Sequence, residues 1–449
     1  MFTRVLVANR GEIAVRVIRA LRELGIEAVA IYSTADEGAM HVRLADRAVR
    51  IGPPSAAESY LNIPSVIAAA MTTGCEAVHP GYGFLAENDE FVRMCEDNEI
   101  VFIGPPADVM ARMGDKALAK QEMRAAGVPL VPGTEGATGP EEAQAAAELL
   151  GFPVFLKAAA GGGGKGMRLV TAPDELHDAF QRAAAEARAA FGDGTLYVEK
   201  AITPARHVEI QVMCDNHGTV LTCGERECSI QRRHQKLIEE TPSPALDAEL
   251  REEMEGAAER ACRHIGYRNA GTFEFLVAPD GSFSFIELNA RLQVEHPVTE
   301  LVTSLDLVRE QVRIAAGEHL SHGGRASRSG HAIELRINAE DPRADFRPSP
   351  GRLTRFRPPL GPGVRVDTFV EEGTEILPYY DSLIAKVVVR DNNRDLAIAR
   401  ARRALEEFEI GGVPTTRDVL HEILGSDEFR SGEYSTSFLD EVEIAAVGA

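Results

Sequence analysis

The sequence predicts a mixed α/β and α+β protein, with a doubly wound parallel-sheet domain at the N-terminus, a middle region of β-hairpins and a mixed domain at the C-terminus. Three observations predict it. Strand and helix signals alternate through the first hundred or so residues; Asp280-Gly281 separates two alternating apolar runs; and 449 residues suffice for about three domains.

At the N-terminus, Val5-Leu-Val-Ala8 reads as a buried strand. Glu12 to Leu24 places Ile13, Val17 and Leu21 on one helical face, Gly25 is positioned to cap it, and Glu27-Ala-Val-Ala-Ile31 is the next strand. The pattern returns as a helix from about Pro64 to Met71, a strand at Ala77-Val-His79, a helix after Asn88 and a strand at Ile100 to Gly104, which implies a mostly parallel sheet. The turn Asn9-Arg-Gly-Glu12 lacks the G-x-G-x-x-G spacing, so no dinucleotide site is assigned. His79-Pro-Gly-Tyr-Gly-Phe84 follows the carboxyl end of a strand, where open α/β sheets bind ligands; tight packing accounts for its small and rigid residues equally well.

Composition excludes several classes. A content of 44% hydrophobic and 26% charged residues is ordinary for a globular enzyme with real cores, and a net charge of -21 argues against nucleic-acid or anionic-membrane partners. The six cysteines form no C-x-x-C pair and read as reduced thiols, of which only Cys228 lies near polar motifs. The first ten residues turn polar too early for a secretory signal, and no apolar span is long enough for a bilayer, so a cytoplasmic protein is expected.

In the middle region, Gly114-Asp-Lys116 opens a helix to Ala126, and Lys116 at its N-terminus is either an anion ligand or a solvated lysine. Phe152 to Ala158 is a buried strand whose only charge is Lys157. A loop with five glycines follows, Gly161-Gly162-Gly163-Gly164-Lys165-Gly166, and then the strand Met167-Arg-Leu-Val170. Strand, loop, strand is not a P-loop; its backbone amides suit phosphate and its mobility suits a lid, with a plain flexible hairpin as the alternative. Tyr197 to Ile202 is a further strand, and Arg206 to Met213 alternates strictly, with His207, Glu209 and Gln211 on one face. Glu225 to Lys236 reads as a basic loop with four cations among twelve residues, suited to an anionic ligand or else a solvated salt-bridge patch. Leu246 to Ile265 is an amphipathic helix.

The Asp280-Gly281 hairpin carries the strongest chemical signal. A two-residue turn sets Pro279 against Ser282 and brings Glu274 opposite Glu287, with Phe273, Phe275 and Ile286 on the other face. Facing carboxylates about 5 Å apart repel by roughly 3 kcal/mol at an effective dielectric near 20. A hard divalent cation offsets that, with Asn289 as a third oxygen donor. The competing reading pairs one carboxylate with an arginine and sends the other to solvent. The same two-residue period continues through Arg291, Gln293 and Glu295, directing six polar groups into one cavity.

Together, Gly161 to Met167, Ser229-Ile-Gln-Arg-Arg-His-Gln-Lys236, Glu287-Leu-Asn-Ala-Arg-Leu-Gln-Val-Glu-His-Pro297 and Arg336-Ile-Asn-Ala-Glu-Asp-Pro342 closely resemble the biotin carboxylases of the ATP-grasp superfamily. The resemblance extends from Val7 to the C-terminal region. It implies an N-terminal α/β domain over 1–114, an ATP-grasp core over 115–317 with a mobile lid at about 131–203, and a C-terminal mixed domain over 318–449. It makes Lys116 and Lys157 ATP-phosphate ligands, the loop at Gly161 to Gly166 the lid over the phosphates, and Glu199, Lys200 and Ile202 the base contacts, with Met167, His207, Gln231 and His234 also on the nucleotide. Glu274, Glu287 and Asn289 match the magnesium or manganese ligands. Lys236, Arg291, Gln293 and Val294 match the bicarbonate site, Glu295 the general base and Arg336 the biotin-facing residue. Lys165, Ala290 and Arg347 depart from the residues usual in the family, without removing a catalytic group.

The implied reaction is ATP-dependent carboxylation of biotin through carboxyphosphate, as in the first half-reaction of acetyl-CoA carboxylase and hence of malonyl-CoA and fatty acid synthesis. A propionyl-CoA or pyruvate carboxylase subunit, another ATP-grasp carboxylate-amine ligase and an inert nucleotide-binding subunit are the alternatives. Arg336 and its neighbours separate the first from general ligases, and Glu274, Glu287, Lys236 and Glu295 argue against inertness. No Met-Lys-Met biotin-attachment motif occurs, so a separate biotin carboxyl carrier protein and carboxyltransferase are expected, and the family suggests a homodimer. At the C-terminus, Gly330 to Asn338 alternates as a strand, and Tyr379 to Lys386 is placed on the biotin side.

Overall fold

The structure, a computed structural model, describes residues 1–134, 139–158, 167–442 and 444–445. Its N-terminal sheet has five parallel strands, β1 (Arg4–Val7), β2 (Glu27–Ser33), β3 (Arg47–Gly52), β4 (Ala77–His79) and β5 (Val101–Phe102), in the order β3-β2-β1-β4-β5. The two-residue period of the strands divides their side chains between two cores. Val5, Val7, Ala28 and Ala30 pack with Ile13, Val17 and Leu21 of α1 (Gly11–Glu23). Leu6, Val29 and Ile31 pack on the other face with Val66 and Ala70 of α2 (Ile63–Thr73) and Phe91 and Val92 of α3 (Asp89–Asp97). Both faces are covered, as a doubly wound parallel sheet requires. Strand β3 has no counterpart in the sequence reading, because an edge strand with half its residues exposed lacks an apolar run.

Next, α4 (Lys116–Ala125) is capped by Asp115, whose carboxylate accepts from the amides of Ala117 and Leu118 at 2.9 and 3.0 Å. A small antiparallel sheet follows, β6 (Val154–Ala158), β7 (Met167–Val170) and β8 (Leu196–Lys200), in the order β7-β6-β8. It has its own core, including Val154, Leu156, Val170, Leu196 and Val198. The predicted phosphate loop, Gly161, Gly162, Gly163, Gly164, Lys165 and Gly166, lies outside the described residues.

The large sheet is antiparallel along its main path. It contains β9 (Arg206–Cys214), β10 (Val220–Arg232), β11 (Gln235–Thr241), β12 (Asn269–Val277), β13 (Phe283–Asn289), β14 (His331–Asn338), β15 (Val364–Thr368) and β16 (Leu383–Asp391). The order is β13-β12-β9-β10-β11-β14-β16-β15. Pairing of β11 with β14 carries the sheet across position 317/318, where the sequence reading divides the chain. The predicted basic loop is corrected by this sheet: Glu225 to Arg232 belongs to β10, and only Arg233 and His234, both at positive φ, form the tip. Regular alternation is hidden there by register shifts between β10 and β11.

The hairpin β12–β13 also differs from the predicted one. Ala278 faces Ser282 across a three-residue loop with Gly281 at φ +83°, so the turn is one residue longer than read from Asp-Gly. A register shift between Glu274 and Phe275 then leaves Ile286 as an extra residue in β13. The two offsets cancel, and Glu274 does face Glu287. Phe285, rather than Ile286, packs with Phe273 and Phe275, while Ile286 turns to a cavity.

Glu240 of β11 ties down the C-terminal region. It accepts from His331 at 2.6 Å, from Arg394 of α6 (Arg394–Glu407; α5, His296–Thr303, precedes it) at 2.8 and 2.9 Å, and from the Tyr434 hydroxyl. Burial opposes its ionisation, but His331 and Arg394 override this and bring its pKa down to about 2. A depressed carboxyl pKa adds stability that is complete above the unfolded value near 4.3 and is lost as pH falls through the folded one. Glu240→Gln is therefore expected to lower the melting temperature at pH 7 by an amount equivalent to about 3 kcal/mol, with a smaller deficit as pH falls from about 4.3 toward 2. Equal deficits at pH 7 and pH 2.5 would contradict this.

Candidate functional site

A cavity of about 1780 Å³ opens between the parallel sheet, the small sheet, β9 to β13 and β14. Lys116, Lys157, Met167, Glu199, Lys200, Ile202, His207, Gln231, His234, Lys236, Glu274, Glu287, Asn289, Arg291, Gln293, Val294 and Arg336 all line it. So do Asn9 to Glu12, Tyr82 to Phe84 and Tyr379 to Leu383, which joins both N-terminal turns to the predicted biotin side. The alternation that predicts six polar groups in one cavity outlasts its strand, because β13 ends at Asn289. Five of the six line the cavity, and Glu295 sits in its wall at the start of α5, 0% exposed.

The charge geometry centres on Lys236. Its ammonium donates to Glu209 Oε2 at 2.6 Å, Glu274 Oε1 at 2.9 Å and Glu295 Oε1 at 2.7 Å, matching three donors to three carboxylates. Arg336 Nη2 reaches Glu295 Oε2 at 2.9 Å, and its Nε and Nη2 reach Glu239 Oε1 at 2.6 and 2.5 Å. Burial opposes ionisation of Glu295, but Lys236 and then Arg336 outweigh it and hold the carboxyl well below the usual range. Glu274 is lowered in the same way, against burial, by Lys236 and by His207, whose Nε2 lies 3.1 Å from Glu274 Oε2. Glu287 is raised, first by burial and then by the facing Glu274 charge.

A divalent cation fits one place better than another. His207, Glu209 and Glu274 cluster closely, as do Glu209, Cys228 and Glu295, but the Lys236 ammonium already bonds carboxylates of both groups. Glu287, which faces Glu274 and is not among the carboxylates that Lys236 bonds, also presents oxygen donors to the cavity and is raised by burial and by the Glu274 charge against Lys116 and His207, as expected beside a hard-cation site. Asn289 Oδ1 accepts from Arg291 Nη2 at 2.9 Å, so the proposed third donor is held by the guanidinium in this geometry, while its buried Nδ2 has no partner among the described residues.

The predicted cation cluster splits by role. Arg226 is fully buried, bonded to Glu209 at 2.5 Å, Gln211 at 2.7 Å, Thr299 at 3.0 Å and Thr272 at 3.1 Å. Arg232 and Arg233 both meet Asp345 at the cavity rim. Lys157 is paired with Glu199, as is Lys120, and Lys200 donates to the carbonyls of Gly151 and Phe152 at 2.8 and 3.2 Å. Of the departures, Ala290 is buried and Arg347 is exposed in a short strand.

Several residues that shape the site escape sequence reasoning. Glu87 accepts from Arg291 Nε at 2.8 Å and from the Ala290 amide at 3.1 Å, and Glu239 anchors Arg336. Both partnerships span about a hundred residues or more, and neither lies in a patterned run. Glu209 was visible only as part of an alternating polar face. Gly81 is constrained both by its own backbone and by a distant segment: φ is +64° and an added Cβ would sit 3.0 Å from Asn9 and Ile13.

Residues 1–110 match the biotin carboxylase N-terminal domain, residues 115–323 the ATP-binding domain of the carbamoyl-phosphate synthase L chain, and residues 334–441 the biotin carboxylase C-terminal domain. A biotin carboxylase of Nostoc sp. is 54% identical over 98% of this chain and 99% of its own. A crystal structure of a Campylobacter jejuni biotin carboxylase in complex with β-γ-ATP superposes with a TM-score of 0.95 at 46% identity, covering 98% of this chain and 99% of that one. The biotin carboxylase domain dimer of Hydrogenobacter thermophilus 2-oxoglutarate carboxylase, solved with MgADP, ADP and bicarbonate, gives a TM-score of 0.93 at 49% identity and 98% coverage of both chains. No helix among the described residues is long and apolar enough to cross a membrane.

Proposed function

The chain belongs to the biotin carboxylase family of ATP-dependent ligases, and from that premise we infer that it carboxylates biotin with bicarbonate and ATP, releasing ADP and phosphate. One observation carries the assignment of roles: a fully buried Glu295 held between Lys236 and Arg336 at the wall of the large cavity. Bicarbonate is a poor nucleophile, so ATP first converts it to carboxyphosphate. Lys236 and Arg291 supply positive charge for bicarbonate, Arg291 with a planar fork aligned by Glu87 and Asn289. Gln293 and Val294 complete that pocket. As bicarbonate draws Lys236 away from Glu295, the carboxylate becomes a stronger base and takes the bicarbonate proton. Carboxyphosphate then breaks down to CO₂ and phosphate, the phosphate deprotonates the ureido nitrogen of biotin, and Arg336 stabilises the enolate that forms.

Lys116, Lys157, Glu199, Lys200, Ile202, His207, Gln231, His234 and Met167 are proposed to receive the nucleotide. Magnesium or manganese, held by Glu274 and Glu287 with Asn289 alongside, would neutralise charge on the transferring phosphoryl group. Biotin is expected on a separate carrier protein, with a separate carboxyltransferase, in a cytoplasmic homodimeric enzyme; the acyl-CoA of acetyl-CoA carboxylase is the first acceptor to test.

The function is tested by ADP release that requires bicarbonate and rises with free biotin; ATP cleavage indifferent to both would refute it. Glu287→Gln is expected to raise the divalent-ion concentration needed for half-maximal activity by about one order of magnitude or more, since one charged oxygen donor is lost. Unchanged metal dependence would remove Glu287 from the metal site.

A further inference from the structure

Behind Arg336 the structure buries two carboxyl groups that this reaction does not use. Glu239 of β11 and Glu334 of β14 face each other directly across the strand pair, and both are 0% exposed. Glu239 Oε1 accepts the bonds from Arg336, whereas Glu239 Oε2 and both oxygens of Glu334 have no partner among the described residues. Facing cross-strand side chains lie within contact of one another. Two dry carboxylates, three of whose four oxygens are unbonded, are strongly disfavoured, and a single proton relieves both.

We propose that Glu334 is kept as the neutral acid, donating its O–H to Glu239 Oε2, and that the pair is a positioning device for Arg336. The proton stays on Glu334, and no other bond changes. The idea rests on Arg336 being the biotin-facing residue. Other nearby charges do not take the proton's place. Lys386 of β16 donates to Val294 O at 2.8 Å and to Glu12 of α1 at 3.1 Å, and Glu12 also receives the Tyr82 hydroxyl. Glu334, Asp367 and Arg365 all act on Lys386, and His296 feels its charge. Burial raises Glu334 well above the carboxylate range, with Lys386 and Arg336 opposing and Glu239 and Glu295 adding. Burial likewise raises Glu239 to about 7, with Arg336 and Lys236 opposing and Glu295 adding. With one proton the pair carries one charge, and Arg336 bridges Glu239, through Nε and Nη2, and Glu295, through Nη2. A second charge there would draw the guanidinium back from the cavity.

Glu334→Gln keeps a donor for Glu239 Oε2 and cannot ionise; Glu334→Leu has neither property. The Gln variant is expected to keep biotin-stimulated ATP cleavage within about threefold of wild type near neutral pH, with the alkaline limb of its pH profile shifted up or lost. The Leu variant should lose about tenfold or more in biotin-stimulated kcat at unchanged KM for ATP. Independently of activity, infrared spectra of unliganded wild-type protein should show a buried protonated carboxyl band near neutral pH that is absent from Glu334→Gln. Should that variant not fold, selective ¹³C-carboxyl labelling of wild-type glutamate reads the same band. Absence of the band, or identical alkaline limbs in wild type and Gln variant, overturns the proposal. A wild type without bicarbonate-dependent cleavage refutes the functional reading instead, and the band still decides the pair.

Discussion

Glu295→Gln is expected to abolish bicarbonate-dependent ATP cleavage whether or not biotin is present, while Arg336→Met keeps a slow bicarbonate-dependent ATPase and loses its stimulation by biotin. The first substitution removes the base, so carboxyphosphate does not form. The second removes the cation for biotin's enolate, at a cost of about two to three orders of magnitude, as for loss of one oxyanion donor. The two side chains touch, with Arg336 Nη2 2.9 Å from Glu295 Oε2, so their effects are coupled. Removing Arg336 also lifts part of the depression of the Glu295 carboxyl, which leaves Lys236 as its main cation. The acid limb of the residual ATPase should therefore move to higher pH in Arg336→Met. ADP release measured with and without biotin, for both single mutants and the double, decides the matter. Matching profiles for the two single mutants would show that they merely hold an ion pair across the wall.

Lys236→Met should produce the largest combined loss. Its ammonium is the shared partner of Glu209, Glu274 and Glu295, all buried, and deletion leaves three carboxylates without it. Removing one member of a buried ionic group costs about 3–5 kcal/mol, and the bicarbonate site loses its point charge at the same time. The sign of the pH effect follows from the depressed Glu274 and Glu295 carboxyls. In the wild type their contribution is complete above the unfolded pKa near 4.3 and is lost as pH falls through the folded values. Without Lys236 the depression shrinks, so the stability deficit should be large at pH 8 and smaller at pH 4. Adding Glu209→Gln should restore part of the stability without restoring activity, because it removes one of the stranded charges. Melting curves at both pH values check this, and a deficit that grows on acidification would contradict the charge assignment.

Much of the chain was legible because its signals are local. Val5 to Val7, Ala28 and Ala30 reveal a buried parallel sheet through apolar runs and their neighbours, whereas β3, exposed at the edge, has no such run. The carboxylate hairpin was legible in its outcome but not in its route. A sequence shows the alternation that brings Glu274 against Glu287, yet a three-residue turn and an extra residue at Ile286 are choices of backbone geometry whose offsets happen to cancel. In the Arg226 to Lys236 stretch, composition revealed the cations but not their assignments. Arg226 is spent on Glu209 in the interior, and Lys236 becomes the centre of the site.

By itself, then, the sequence determined residue chemistry at short range: the acidic, basic and amide side chains spaced by two from Glu287 to Glu295, the helix opened by Asp115 and Lys116, and motifs long enough to reveal the family. Tertiary structure decided which charges neutralise which. Glu87 with Arg291 and Glu12 with Lys386 join the N-terminal domain to residues of the large sheet region, while Glu239 with Arg336 and Glu334 against Glu239 join two strands, distant in sequence, that pair within that sheet. Coulomb energy depends on separation in space and on burial, and neither is encoded by proximity along the chain.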